Sequence, residues 1–260
     1  MSITVSAPVW FRLTAGLALC VILASCGTAP ERTLSDNGSW GGRPIGTPPH
    51  PNARVKQLMI SGANREWEFF GRQTVVLRGA EESIPHVGLW EDDDTSHSDR
   101  VGAYWRAAGK GRLNGMDCRE PWSAAFMSWI MQGAGVPEGQ FRRDSAHWVY
   151  LADMIEESYF PGRWFVPRRV GDYSPAPGDL ICASRGPTRP ATLNGYTSAR
   201  ALQGLNLHCD LVVGKDGQRL ESIGGNVRNS VSKSTLELDG QGHLQPVPRR
   251  PWFLIMENRL

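Results

Sequence analysis

Helical and strand-like periodicities occupy different parts of this chain, and that segregation narrows the fold more than any other feature. From residue 55 to 73, Leu58, Met59, Ala63, Trp67 and Phe70 recur at helical spacing, and a second helix is expected over residues 100–108. The strongest helical signal covers residues 121–132. Pro121 stands at its start, Trp122, Ala125, Phe126, Trp129 and Ile130 form one apolar stripe, and Gly133-Ala134-Gly135 is a stop. A further helix is expected over 145–158. The pattern then changes to short β-like runs at 164–166, 179–183, 208–213, 219–223, 230–238 and 252–256, punctuated by Pro and Gly as in Pro175-Ala176-Pro177-Gly178. Helices first and strands afterwards predict an α+β domain: N-terminal helices, with the 121–132 helix central and packed on an antiparallel sheet.

The 40% hydrophobic content of 260 residues is enough to bury a core. A formal charge of only +2 supplies no overall field to draw nucleic acid, which disfavours a dedicated DNA or RNA binder. The acidic run from Glu91 to Asp99 offers oxygen ligands but lacks the glycine and terminal glutamate of an EF-hand loop, and it reads as solvated. No metal and no cofactor are implied.

The first 25 residues read as an address. One charge, Arg12, precedes an apolar run from Leu13 to Ala24 that is too short to span a bilayer and has the length of a signal-peptide core. The run ends in Leu23-Ala24-Ser25-Cys26-Gly27, which resembles a bacterial lipobox; Cys26 is then the lipidated N-terminus, and several acyl chains on it give stable anchoring. Residues 26–52 are a tether, with five Gly and five Pro between residues 27 and 52. The folded part is expected over 53–260 as one domain. Three cysteines remain there: Cys118, Cys182 and Cys209. With no C-x-x-C, a zinc ribbon or thioredoxin-like site is not supported.

Common hydrolase and nucleotide signatures are absent: no G-x-S-x-G, G-x-x-x-x-G-K-[ST], G-x-G-x-x-G or H-E-x-x-H occurs. What remains is Ser123 at a helix start, His208 opening a strand and Asn226 just after the next strand. A nucleophile in the first turn of a helix has free N–H groups beside it for a developing anion, a histidine on a facing strand can take its proton, and an amide can orient the ring. His147 is a second histidine near a helix start. Asp210 shares His208's strand face by period 2, which makes it another candidate orienter.

These residues carry a resemblance. Pro121-Trp122-Ser123-Ala124-Ala125-Phe126, Gly178-Asp179-Leu180, His208-Cys209-Asp210-Leu211-Val212-Val213 and Ile223-Gly224-Gly225-Asn226 resemble the successive blocks of CHAP and NlpC-type papain-like amidases and peptidases. More closely, the region from about Arg54, including Glu66-Trp67-Glu68-Phe69-Phe70-Gly71, is similar to the bacterial lipoprotein family called domain of unknown function 2272. The resemblance implies a papain-like fold and cleavage of amide bonds in peptidoglycan peptides. It places the nucleophile at Ser123, the histidine at His208 and the late amide at Asn226. Two positions depart from the pattern. Ser123 puts a hydroxyl where the family has a thiol, so it requires strong general-base help. Gly224 stands where CHAP enzymes often carry a glutamate.

Three readings follow: a serine nucleophile with His208 and Asn226, a groove that binds peptidoglycan peptides or a partner envelope protein without chemistry, or a thiolate supplied by Cys118. The strands bearing Cys182 and Cys209 are neighbours in the family fold, so the resemblance implies either a disulfide or two packed thiols. The long connection over 186–207 is expected to border the groove. Trp67, Trp105, Trp122 and Trp129 fall on apolar stripes and read as core. The expected location is the periplasmic side of a bacterial membrane, outer before inner.

Overall fold

The computed structural model describes residues 52–186, 190, 192–193 and 196–260; the signal segment, Cys26 and all of the tether except Asn52 lie outside them. Asn52 caps α1 (Ala53–Phe69), its side chain accepting from the Arg54 N–H. A hairpin follows, β1 (Thr74–Arg78) and β2 (Glu81–His86), then α2 (Thr95–Ala107), α3 (Ser123–Gly133) and α4 (His147–Glu157). The remaining elements are β3 (Phe165–Arg168), β4 (Leu180–Ser184), β5 (Thr192–Leu193), β6 (Tyr196–Thr197), α5 (Ala199–Leu202), β7 (Leu207–Asp216), β8 (Arg219–Val227), β9 (Ser230–Glu237) and β10 (Trp252–Asn258).

The α+β architecture is as expected, with two corrections to its order. The β1–β2 hairpin interrupts the helical half, and β1 pairs in parallel with β9, so the eight-stranded sheet β2-β1-β9-β8-β7-β4-β10-β3 is mixed rather than antiparallel throughout. Both faces of its centre are covered. Leu180, Cys182, Cys209, Leu211, Leu254 and Met256 join the core shared with α1 to α4. Ile181, Val212 and Ile255, one residue out of phase, join a second core with Leu244 and Val247. Two buried faces explain the consecutive apolar residues Leu180 to Ala183 in β4 and Leu211 to Val213 in β7.

Helix α3 is buried on nearly every side rather than along one stripe; Ser123, Ala124, Met127 and Ser128 are as enclosed as Phe126 and Ile130, whereas Trp129 is only partly covered. Its approach to the sheet depends on Gly225, where a Cβ would lie 2.5 Å from Phe126 Cβ and 2.8 Å from the Trp122 ring. The acidic run is not simply a solvated loop. Asp94 caps α2 by accepting from the His97 N–H at 3.0 Å, which starts that helix at Thr95, and the buried Glu91 accepts from Trp122 Nε1 at 2.5 Å. Burial pushes the Glu91 carboxyl up, against the Trp122 hydrogen bond. Cys182 and Cys209 face each other across β4 and β7 and are joined as a disulfide.

Candidate active site

Ser123 is the first residue of α3. The residue before it, Trp122, makes no side-chain cap, so the first N–H groups of the helix lack the usual capping oxygen. Ser123 Oγ stands 2.7 Å from His208 Nδ1 and 2.9 Å from His147 Nε2. His208 comes from β7 and His147 from the first turn of α4, so two elements converge on one hydroxyl.

His208 reaches Ser123 because the sheet opens at that point. Residues 208–210 pair with β4, but the β7–β8 ladder begins only at Leu211 and Ile223, and β8 carries an irregularity between Gly224 and Val227. The His208–Asp210 pair fills the split, with Nε2 2.6 Å from Asp210 Oδ1. Gly224 makes the room: a Cβ there would lie 1.9 Å from Asp210 Oδ1 and 3.0 Å from His208 Nε2. The other oxygen of Asp210 accepts from Ser222 Oγ at 3.0 Å and faces Arg250 at 3.6 Å.

The contact with Asp210 sets the tautomer of His208. Burial pushes the Asp210 carboxyl up, but His208, Arg250 and Ser222 outweigh it and hold it below the ordinary carboxylate range, so it is an acceptor only. His208 Nε2 therefore carries the proton and Nδ1 is free to accept from Ser123. Burial, with Arg185 adding to it, lowers the His208 imidazole to about 4 despite Asp210, so the ring is neutral at pH 7. His147 is likewise held well below its ordinary value, by burial first and then by His208 and Arg185. Its Nδ1 accepts a hydrogen bond from the Tyr150 hydroxyl, and burial keeps that phenol protonated. The chain then reads Tyr150 to His147 to Ser123 to His208 to Asp210, each group donating to the next.

Asp210, not Asn226, meets the far nitrogen of His208, which corrects the role expected for the late amide. Asn226 lies in the irregular stretch of β8 with a left-handed φ of 55°, lines the neighbouring cleft, and gives its carbonyl to Arg185 at 2.9 Å. Arg185 also donates to His208 Nδ1 at 3.1 Å. Cys118 is exposed and away from this chain of contacts; its thiol lies 3.6 Å from Asp92 Oδ2, and desolvation and that carboxylate raise it, the opposite of what a thiolate nucleophile needs. Of the segment expected to border the groove, Gly186 does so, α5 supplies the buried Ala199 and Leu202, and residues 187–189, 191 and 194–195 lie outside the described residues.

The cleft beside the site holds about 550 Å³, with His208, Arg185 and Asn226 in its wall. Residues 85–258 match the family described as uncharacterized protein conserved in bacteria (DUF2272). The chain belongs to that family. No curated protein and no solved structure matches it. In this DUF2272 chain the family region begins in β2 and runs to the end of β10, so it contains every residue of the hydrogen-bonded site and leaves out α1 and β1. Tyr150, Arg185 and Ser222 escaped the sequence reading. Tyr150 had a signal, its i+3 spacing from His147 on one helix face; Arg185 and Ser222 had none, being ordinary residues brought in by the sheet.

Proposed function

We propose that this chain is a serine-dependent amide hydrolase of the bacterial envelope, held to the membrane through Cys26 and acting on peptidoglycan peptides. The observation that carries the chemistry is Ser123 Oγ at 2.7 Å from a neutral His208 whose other nitrogen meets an ionised Asp210. The likeness of the site segments to CHAP and NlpC-type enzymes supplies the substrate class and the papain-like reading of the fold.

In this mechanism Ser123 Oγ attacks the amide carbon as its proton passes to His208 Nδ1. Asp210 stabilises the imidazolium so formed. The oxyanion is held by the uncapped N–H groups at the start of α3. The C–N bond then breaks, the leaving amine takes the proton from Nδ1, and water releases the acyl group by the same steps in reverse. The nitrogens of His208 are used in the opposite sense to the chymotrypsin triad, where Nε2 faces the serine. Asp210 also fills the space above Gly224, the position at which many CHAP enzymes carry an acid, so the carboxylate is supplied from the adjacent strand instead.

One observation favours a second reading, a peptide-binding module without catalysis: Ser123 is only 3% exposed and does not itself line the cleft. The same experiment decides between them. Full-length protein is incubated with purified sacculi and released muropeptides are separated and weighed by mass spectrometry. Release by wild type and none by Ser123→Ala supports the serine hydrolase; no release by wild type, with binding to sacculi retained, supports the module. Among the described residues no helix is long and apolar enough to cross a membrane. Metabolic labelling with a lipid precursor, lost in Cys26→Ser, tests the anchor.

A further inference from the structure

The cleft wall is charged in one sense. Arg185, Arg228, Arg249 and Arg250 line it against a single carboxylate, Glu82. Two of the four are committed: Arg228 pairs with Glu82 at 3.0 Å, and Arg250 lies between Glu82, Asp210 and Ser234. The other two have no carboxylate within 4.0 Å among the described residues. Arg249 donates to the Ala80 carbonyl and Arg185 to the Asn226 carbonyl and His208 Nδ1. Counting Glu82 and Asp210 against the four guanidinium groups, two positive charges are uncompensated.

Arg185 is also in the wrong place for a resting catalyst. His208 Nδ1 has one lone pair, which the Ser123 hydroxyl needs, and a guanidinium N–H at 3.1 Å competes for it. A cation beside the ring also opposes the imidazolium that general-base catalysis must form. Something in the working complex has to draw Arg185 away.

We propose that the cleft takes a peptide with a free carboxylate close to the scissile amide, and that this carboxylate pairs with Arg185 and pulls it off His208. A carboxylate matches the planar fork of arginine in a way that an uncharged amide does not. The charge selection concerns binding alone; the release of His208 rests on the hydrolase reading above. The anionic substrate thereby completes the base it needs, and a neutral peptide of the same shape leaves Arg185 where it is.

The test uses full-length Ser123→Ala protein, in which nothing can turn over, titrated calorimetrically with a synthetic stem tetrapeptide bearing free carboxylates, with its fully amidated counterpart, and with inorganic phosphate. Selective binding of the free acid by tenfold or more over the amide, abolished by adding Arg185→Gln, is the expected result. Nitrogen NMR of His208 should show the Nδ1 signal move on addition of the acid, and Arg185→Gln should reproduce that shift without ligand. Arg249→Gln should weaken the acid's binding and leave the unliganded His208 signal unchanged, which guards against a merely misfolded Arg185 variant. Equal affinity for acid and amide, binding of neither, selectivity that survives Arg185→Gln, or tighter binding of phosphate than of the acid overturns the proposal. Selective binding by a protein that never releases muropeptides sinks the hydrolase and spares the charge selection; hydrolysis indifferent to amidation of the substrate does the reverse.

Discussion

His208 and His147 touch the same hydroxyl from two different elements, both buried and both neutral, yet they are not interchangeable. The difference lies one bond further out. Behind His208 is an ionised carboxylate, and behind His147 is the neutral hydroxyl of Tyr150. A proton arriving on His208 forms an ion pair with Asp210 in a medium of low dielectric, whereas one arriving on His147 meets no counter-charge. The second partner of each ring therefore decides which histidine is the base. His147 is left to donate to Ser123 and to aim its remaining lone pair.

Removing the charge behind His208 should erase the asymmetry and gives the largest effect. Asp210→Asn leaves the ring without an ionised partner and able to adopt the other tautomer, so kcat is expected to fall by about 10⁴ in the muropeptide assay with little change in KM. Retained activity would show that His147 can serve as the base and would break the comparison. Gly224→Ala attacks the same pair through space alone. Its Cβ would occupy the position of Asp210 Oδ1, so the carboxylate must leave His208 while remaining buried beside Ser222 and Arg250. Displacing a buried partner of this kind costs about 3 kcal/mol of stability or more, visible as a lower Tm, together with about 10² or more in kcat. Gly225→Ala gives the contrast, since its Cβ would strike Phe126 and Trp122 on the helix side; it should destabilise through α3 while leaving the His208–Asp210 contact in place.

The two sides of this site were unequally legible in sequence. Ser123 was readable because Pro121 and a dense apolar stripe mark a helix start, and His208 and Asp210 because alternation puts both on one strand face. The choice between Asp210 and Asn226 was not, since one is on the same strand as His208 and the other on the next, and only the parting of β7 from β8, with an empty Cβ position at Gly224, admits the carboxylate. The β1–β2 hairpin was missed for an opposite reason. β1 is only five residues long and begins where the helical reading, carried four residues past the end of α1, stopped at Gln73; β2 is an exposed edge strand containing Pro85, with no apolar alternation to read. Burial of α3 beyond its apolar stripe also hid from a one-stripe reading, because small residues such as Ala124 and Ser128 let neighbours close in without leaving an apolar signal.

Changes behind His147 should matter less. His147→Phe removes one hydrogen bond to Ser123 and is expected to lower kcat five- to tenfold, equivalent to about 1 to 1.5 kcal/mol, with His147→Gln recovering part of it through its amide donor. Tyr150→Phe leaves the His147–Ser123 contact in place and only frees the tautomer, so a loss of about threefold or less is expected.

The smallest expected effect is a nearly flat pH profile. With His208 lowered to about 4, kcat/KM should change by less than about twofold between pH 5 and 7.5, and its acid limb should appear near pH 4. A base with an ordinary histidine value near 6.5 would retain only about 3% of its activity at pH 5. Stability, unlike activity, is not flat in this window. The unfolded chain protonates this histidine near 6.5 and the folded chain only near 4, so the unfolded state binds more protons between those values and folding stability declines as the pH falls through them, by about 3 kcal/mol for His208 alone. His147 adds to the loss in the same direction. The profile must therefore be read together with the folded fraction at each pH. A limb near 6.5 in fully folded protein would mean that the base is solvated in the working complex, and that the buried chain from Tyr150 to Asp210 is the resting arrangement only.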